Sequence, residues 1–451
     1  MARPVGIDLF AGAGGLSLGF EQAGFDVKAA IEIDPVHCAV HTFNFPETAV
    51  IPASVSDLDG EKIRRLSGLS GKRIDCVFGG APCQGFSLIG HRVLDDPRNR
   101  LVEDFVRLTH ELKAESFVFE NVKGLTVGRH KALLKELTEA FRDVGYECRL
   151  PWRVLNAGHY GVPQARERLI LMGVRKGRVI PDYPAPTTNI AGRPRLFPDL
   201  DFGPSCNDAI GDIPDADTFE VLSAGDAVRT NRFGKPSDYA AELRGLRKNA
   251  WHFGYMREWN PDMLTSSART GHTEISRRRF RHTEEGAVEP VSRFFKLPQD
   301  GVSNTLRAGT DSARGAFTSP RPIHFRHARC ITVREMARLH GFPDWFRPHV
   351  TKWHGARQVG NAVPPPLARA IATKIIEALG IKPDRPEETL LPGDPNLLTL
   401  NLSQASHRFG ITPPPGRRDR KSGAKKRRQE EIEGDINAEG LWSNRQTAMD
   451  L

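Results

Sequence analysis

The chain has 451 residues, 39% of them hydrophobic, with 64 Lys and Arg against 55 Asp and Glu, a formal net charge of +9 and a pI near 9.3. That length suits two or three domains, and with no uncharged apolar run of about 18 residues a membrane span is excluded. The N-terminal MARPVGIDLFAGAGG shows no signal-peptide pattern, and the six cysteines (Cys38, Cys76, Cys83, Cys148, Cys206, Cys330) form no CxxC pair, so no metal site or disulfide framework is expected and a soluble cytoplasmic protein fits best.

In chain order, Val5–Phe10 reads as a short apolar strand, followed by a glycine-rich turn and a helix near Leu16–Ala23. Val27–Ile33 reads as a second strand with Glu32 and Asp34 at its end, Ile74–Phe78 as a third and Ser116–Glu120 as a fourth. Helical patterns cover Leu101–Leu112 and Lys131–Val144. Strands alternating with helices predict an α/β fold with a parallel, doubly wound sheet, in which ligands sit at the carboxyl ends of the strands. Gly12, Glu32, Cys83 and Glu120 all fall at such ends. From about Tyr183 to Cys330, Pro, Gly, Arg and Ser become frequent and helical patterns thin out. Thr332–Glu335 is then a capping-box signature opening a helix through Leu339. A last helix over Leu367–Leu379 stops at Gly380 with Pro383 beyond. A tail rich in Pro and charge follows, including KSGAKKRR at 421–428.

The segment DLFAGAGGLSLGF (8–20) sets Gly12, Gly14 and Gly15 between strand and helix, where glycine permits a tight turn and close approach of backbone to a ligand. Alone it fits a plain turn as well as a nucleotide site. Glu32 strengthens the second reading, because a carboxylate about twenty residues on can accept both hydroxyls of a ribose. The spacing leaves a dinucleotide and S-adenosylmethionine both open. GGAPCQGFS (79–87) carries Cys83 in a loop after a strand. An arbitrary cysteine is more often a small half-buried residue, but a strand-end loop can present a nucleophile, and the thiolate is the strong one near neutral pH. ENV (120–122) sets Glu120 at the same edge of the sheet, a candidate acid.

With these blocks in order the chain resembles a DNA cytosine-5 methyltransferase of the bacterial type. The resemblance rests on DLFAGAGGLSLGF, IEID (31–34), SDL (56–58), GGAPCQGFS, ENV, QARER (164–168), REMARLHGFPDWF (334–346) and QVGNAVPP (358–365), and covers roughly residues 5–380. It implies a Rossmann-like methyltransferase sheet with a smaller, irregular target-recognition domain. The expected layout is a catalytic and cofactor-binding domain at 1–182, target recognition at 183–330, a return to the catalytic domain at 331–380, and a flexible tail at 381–451. The implied activity is methylation of cytosine carbon 5 in a specific duplex DNA sequence, with S-adenosylmethionine as cofactor. A cognate restriction endonuclease as functional partner, and action as a monomer on DNA, are implied too.

The resemblance also assigns roles. Cys83 adds to ring carbon 6, and the enamine so formed makes carbon 5 nucleophilic enough to take the methyl. Glu120 bonds ring nitrogen 3 and the exocyclic amine, protonated or sharing a proton. Arg166 and Arg168 hold the pocket, one near the base carbonyl and the other bracing Glu120 or the phosphate. Phe10 packs against the cofactor, and Gly12, Ala13, Gly14, Gly15 and Leu16 wrap its methionine end. Glu32 takes the ribose hydroxyls, Ile33 the adenine face and Asp57 the adenine amine, though Asp57 stands in SVSDLD where the family more often shows a glycine before the aspartate. Asn361 and Ala362 return to this site from the far end of the chain. The target base must leave the duplex stack, at a cost of a few kcal/mol, and the loop at 87–100 is a candidate lid.

The positive charge is uneven. Residues 1–220 hold 26 basic and 30 acidic side chains, whereas residues 221–330 hold 19 and 11, which points the second region toward DNA. Arginine there can read guanine edges or merely hold phosphates. Two further readings share these residues: a tRNA-methylating relative, and a DNA-binding protein that has lost turnover.

Overall fold

The computed structural model describes residues 3–82, 99–126, 130–310 and 320–412. The parallel core is built from β1 (Val5–Leu9), β2 (Asp26–Glu32), β3 (Ala49–Pro52), β4 (Cys76–Gly79) and β5 (Ser116–Val122), in the order β3-β2-β1-β4-β5. Helices α1 (Gly15–Ala23), α2 (Pro35–Asn44), α3 (Gly60–Leu66) and α4 (Arg100–Glu111) connect them, and α5 (His130–Asp143) follows β5. The order reverses between β1 and β4, so the loops after these two strands flank the crevice where a doubly wound sheet binds its ligand. Beyond β5 the sheet turns antiparallel. Here β6 (Tyr146–Cys148), β7 (Arg153–Asn156) and β8 (Glu167–Arg175) follow one another without a crossover helix, and both β6 and β7 pair with β8. Strands joined that closely can only return antiparallel, which the alternating pattern upstream does not predict.

Alternation along the strands builds two cores. Phe117, Phe119, Leu169 and Leu171 face α4 and α5, packing with Phe105 and Phe141. Val118, Ile170, Met172 and Phe78 face the opposite way, onto Leu16 and Phe20 of α1 and onto Leu367, Ile371 and Ile375. Those last three belong to the closing helix at Pro365–Leu379. It lies so close to α1 that a Cβ added at Gly19 would stand 2.3 Å from Ala368 Cβ and 2.6 Å from the Pro365 carbonyl. The far end of the chain thereby completes the layer beside β1.

The middle of the chain is mostly irregular, with α6 (Cys206–Ile210), β9 (Val228–Arg229), α7 (Asp238–Leu243), β10 (Met256–Arg257), β11 (Met263–Leu264) and α8 (Glu274–His282). A third core joins it to the catalytic half: Ala39, Val40, Phe43 and Phe45 of the α2 region pack with Cys206, Ile210, Leu264, Leu306 and Met336. The capping box opens α9 (Val333–Leu339), with Thr332 and Glu335 each accepting the other's backbone N–H. α10 (Lys352–Asn361) and the closing helix, α11, come next, and Gly380 ends α11 at φ 66°. Residues 381–412 differ from the flexible tail expected of their composition. β12 (Thr389–Leu390) pairs with β10, and α12 (Leu402–Arg408) follows a short turn that buries Leu397 and Leu398 against α2 and Val350. Three leucines and Ala405 give this stretch enough apolar surface to dock. KSGAKKRR lies outside the described residues.

The charge of the middle region is also partly internal. Arg257 pairs with Glu21, Arg279 with Glu289, and Arg329 with Asp215 and Glu335, all largely buried. Within the arginine-rich run RRRFRH (277–282), Arg278 and Arg281 remain exposed, as do Arg229, Arg232, Arg247, Arg293, Arg307 and Arg326 elsewhere in the region. Fewer arginines than the sequence count suggests are therefore available to a polyanion.

Candidate active site

Glu32 ends β2, and its carboxylate is gripped from two sides. Gly12 N–H donates to Oε2 at 2.7 Å and Asp34 N–H to Oε1 at 2.8 Å. The first bond ties the glycine loop to the neighbouring strand end. In that loop Phe10, Gly12 and Gly14 all have positive φ, at 65°, 54° and 102°. For Phe10 this is a strained conformation that sites, rather than ordinary turns, tend to keep. A Cβ at Gly14 would lie 2.3 Å from the Phe45 ring, so only glycine fits. Gly15 and Leu16 open α1, and the buried Ala13 precedes them. Beneath the loop, Ser17 donates to the fully buried Asp8 at 2.6 Å, and burial pushes the Asp8 carboxyl up to about 8.

Ile33 is 66% exposed, an apolar side chain offered to solvent directly after Glu32. Asp34 caps α2, accepting from Val36 and His37 N–H. Asp57 ends a single 3₁₀ turn after β3 and is exposed, at the same carboxyl edge of the sheet. Ala362 reaches the loop from the far end of the chain: a Cβ on Gly15 would stand 2.8 Å from Ala362 Cβ and 2.6 Å from Val363 O. Asn361, the last residue of α10, is exposed beside it. The cofactor candidates thus gather on one rim, with Asp57 set apart on its outer side.

One strand to the other side of β1, β4 leads into Gly80, Ala81 and Pro82. Cys83 and the candidate lid from 87 to 98 lie outside the described residues. The approach to the cysteine is nonetheless fixed, because Asn121 Nδ2 donates to the Ala81 carbonyl at 2.8 Å. Neighbouring Glu120 is 8% exposed. On the antiparallel partner strand Glu120 faces Ile170, so Arg168, two residues back on β8, projects to the same side as a diagonal neighbour. Its Nε lies 2.8 Å from Glu120 Oε1. Burial raises the Glu120 pKa, and Arg168 and Arg166 pull against it. The net direction is upward, so this carboxyl holds its proton more readily than a free one although a cation stands beside it.

Arg166 does something different from either role expected of it. Fully buried, it donates to the carbonyls of Leu306 at 3.0 Å and of Gly360 and Ala362 at 2.8 Å each. It is a tether between β8, the loop near Leu306 and the end of α10. Arg168 is the pair's member that touches Glu120. Sequence reasoning names QARER without a role for Gln164, and it passes over Asn121, Leu306 and His340, which the structure brings to the same neighbourhood. For Gln164, Asn121 and His340 the only signal is their position inside the quoted blocks, and for Leu306 there is none.

A glycine loop and a clamped carboxylate at adjacent strand ends, with a buried Glu–Arg pair across the switch point, define an α/β methyltransferase fold. The sequence model of "C-5 cytosine-specific DNA methylase" matches residues 5–377. The chain belongs to that family and is a DNA (cytosine-5-)-methyltransferase. It is 57% identical over 412 residues to the Type II methyltransferase M.XorII of Xanthomonas oryzae pv. oryzae, covering 91% of this chain and 94% of that one. It is 32% identical to the Type II methyltransferase M1.HphI of Haemophilus parahaemolyticus, over 82% and 86% of the two chains. A solved structure described as a DNA modification methyltransferase encoded within an Escherichia coli prophage superposes with a TM-score of 0.66 at 31% identity, covering 84% of this chain and all of that one. No helix among the described residues is long and apolar enough to cross a membrane.

Proposed function

We propose that this enzyme methylates carbon 5 of a cytosine flipped out of a specific duplex DNA sequence, through a transient cysteine adduct and with S-adenosylmethionine as methyl donor. The observation that carries the reading is the Glu120–Arg168 pair, held at 2.8 Å beside the 80–82 segment that leads to Cys83. The cofactor fits the opposite rim. Glu32 has carboxylate oxygens for ribose hydroxyls, Ile33 an exposed apolar face for adenine, and the Gly12–Leu16 turn close backbone for the methionine end, with Phe10, Asn361 and Ala362 bordering it. When bound it supplies an electrophilic methyl on a sulfonium.

The remaining chemistry belongs to this chain's own residues. The Cys83 thiolate adds to ring carbon 6, and the electron pair displaced toward ring nitrogen 3 is met by the Glu120 proton. Arg168 orients Glu120 and limits the charge that develops there. Carbon 5, now enamine-like, takes the methyl, then loses its proton to a base as the thiolate leaves, and ring nitrogen 3 returns its proton to Glu120. Arg166 holds the pocket wall. Residues 183–330 carry target recognition, with the exposed arginines as the first candidates for phosphate and base contacts. The resemblance to Type II methyltransferases supports a protective role against a cognate restriction endonuclease; action in the cytoplasm, as a monomer on DNA, belongs to the same proposal.

The test is conversion-based sequencing of DNA from cells expressing the protein, alongside methyl transfer in vitro to duplex DNA and to tRNA. Methylation of carbon 5 at one recurring DNA sequence, with tRNA inert, is the expected result. Transfer to tRNA alone, or to no substrate, contradicts it.

A further inference from the structure

We infer that Gln164 and His340 are positioning residues for methyl transfer: one directed chain of buried hydrogen bonds through their side chains fixes the cofactor-side segment 360–362 against the loop at 303–310. The inference rests on the reading of Asn361 and Ala362 as part of the cofactor wall.

The chain can be followed atom by atom. Leu306 N–H donates to Gln164 Oε1 at 3.1 Å, which settles which end of the carboxamide is the oxygen. The other end, Nε2, is therefore a donor. It reaches His340 Nδ1 at 2.9 Å and the Leu339 carbonyl at 3.3 Å. A donor facing Nδ1 requires the neutral imidazole with its proton on Nε2. That nitrogen lies 2.9 Å from the Ala362 carbonyl, an acceptor. Every link has one possible direction, and reversing any of them leaves two donors or two acceptors face to face.

The surroundings keep the chain in this state. Gln164 and His340 are both fully buried. Burial and the Arg166 and Arg168 guanidiniums push the imidazole pKa well below its usual value, and the Phe342 ring stacks on its face. Ala362 O accepts from His340 and Arg166 together. Two more bonds bind the loop to the segment leading into β8, with Ala165 N–H donating to Ser303 O and the Thr305 hydroxyl to Ala165 O, both at 2.8 Å. One side of this chain faces the exposed residues Asn304, Thr305 and Arg307, and the other side faces the glycine loop through Ala362. A shift on either side breaks a bond that the other depends on, so cofactor and DNA engagement share these residues.

His340→Leu removes both ring polar atoms at similar size, whereas His340→Gln keeps an adjacent donor and acceptor. In the full-length protein, with S-adenosylhomocysteine as a calorimetric probe, His340→Leu should weaken binding by about tenfold, the scale of one lost buried hydrogen bond. His340→Gln should recover most of that loss. Gln164→Met, which cuts the chain at its centre, should raise KM for cofactor and for plasmid duplex DNA together and lower kcat less. Should His340→Leu fail to fold, Gln164→Met and His340→Gln carry the same test. Equal binding by wild type and Leu variant overturns the inference, as does equal loss in the Leu and Gln variants, or an unchanged pair of KM values in Gln164→Met. Failure of the wild-type protein to bind the probe at all counts instead against the cofactor reading itself.

Discussion

Arg168 and Glu120 meet at 2.8 Å across two antiparallel strands, each nearly withdrawn from solvent. The pairing follows from register alone: Glu120 faces Ile170, so the residue two back on β8 shares its face. Removing the guanidinium leaves a buried carboxyl without its close cation. Arg168→Gln should therefore raise the Glu120 pKa further and move the basic limb of the kcat profile to higher pH. Glu120→Gln, which cannot deliver a proton, should lower kcat by about 10²–10⁴, the usual range for losing a general acid. Steady-state methylation across pH 6 to about 9.5 checks both, and an Arg168→Gln profile superimposable on wild type contradicts the assignment.

Gly80 is a steric requirement of the same pair. A Cβ there would lie 2.5 Å from Glu120 Oε2, and Arg168 restrains the carboxylate from moving away. Gly80→Ala should displace the carboxylate and cost about 10² in kcat, the penalty for misplacing a reacting group by roughly an ångström. Cofactor affinity should stay as in wild type, because Glu32 lies on the other rim. A fall in cofactor affinity with normal kcat is the opposite outcome.

Glu32→Gln tests that other rim. It replaces one charged acceptor by a donor that opposes either Gly12 N–H or Asp34 N–H. Hydrogen bonds to a charged group are worth about 1.5–3 kcal/mol, so cofactor Kd should rise by roughly tenfold to a hundredfold while the Glu120 pH profile keeps its shape. Calorimetry on the variant decides it.

Much of this site was legible in the sequence, and for a physical reason. Strand-end residues such as Glu32 and Glu120 follow apolar runs whose length fixes where the strand stops. The capping box at Thr332 and the glycine stop at Gly380 are equally local signals. What was hidden depends on tertiary packing. The division of labour between Arg166 and Arg168 follows from what packs around each: Arg166, just before β8, is enclosed by the loop at Leu306 and the 360–362 segment, whereas Arg168, within β8, lies beside Glu120 on the neighbouring strand. The docking of residues 381–412 depends on a groove over α2 that no local pattern reveals. The antiparallel turn of β6, β7 and β8 comes from short connections whose pairing partner is set only in three dimensions.

Acid should destabilise the fold from near pH 6.5 downward. Burial lowers the pKa of His41 and His354 to about 4 and of His324 to about 3, and it depresses His340 as well. Each is neutral in the fold where the unfolded chain takes a proton, so its contribution is complete above the ordinary histidine pKa and is lost as pH falls through that window. For fully buried His41 and His324 the slope is about 1.4 kcal/mol per pH unit each. Asp8, raised to about 8, and Glu120, also raised, act in the opposite direction, but the depressed histidines outnumber them. Thermal unfolding at pH 7 and pH 5 should show a lower Tm at pH 5, and an equal or higher Tm there contradicts the prediction.

The central claim is that Cys83 attacks the target base while Glu120 holds it. Duplex DNA carrying 5-fluorocytosine at the methylated position reports this directly, because fluorine on carbon 5 cannot leave as the proton does and the adduct is trapped. With S-adenosylmethionine present, the wild-type protein should form a complex with that DNA that survives denaturing electrophoresis, and Cys83→Ala should form none. A Cys83→Ala protein that still yields the adduct, or still methylates DNA, contradicts the account.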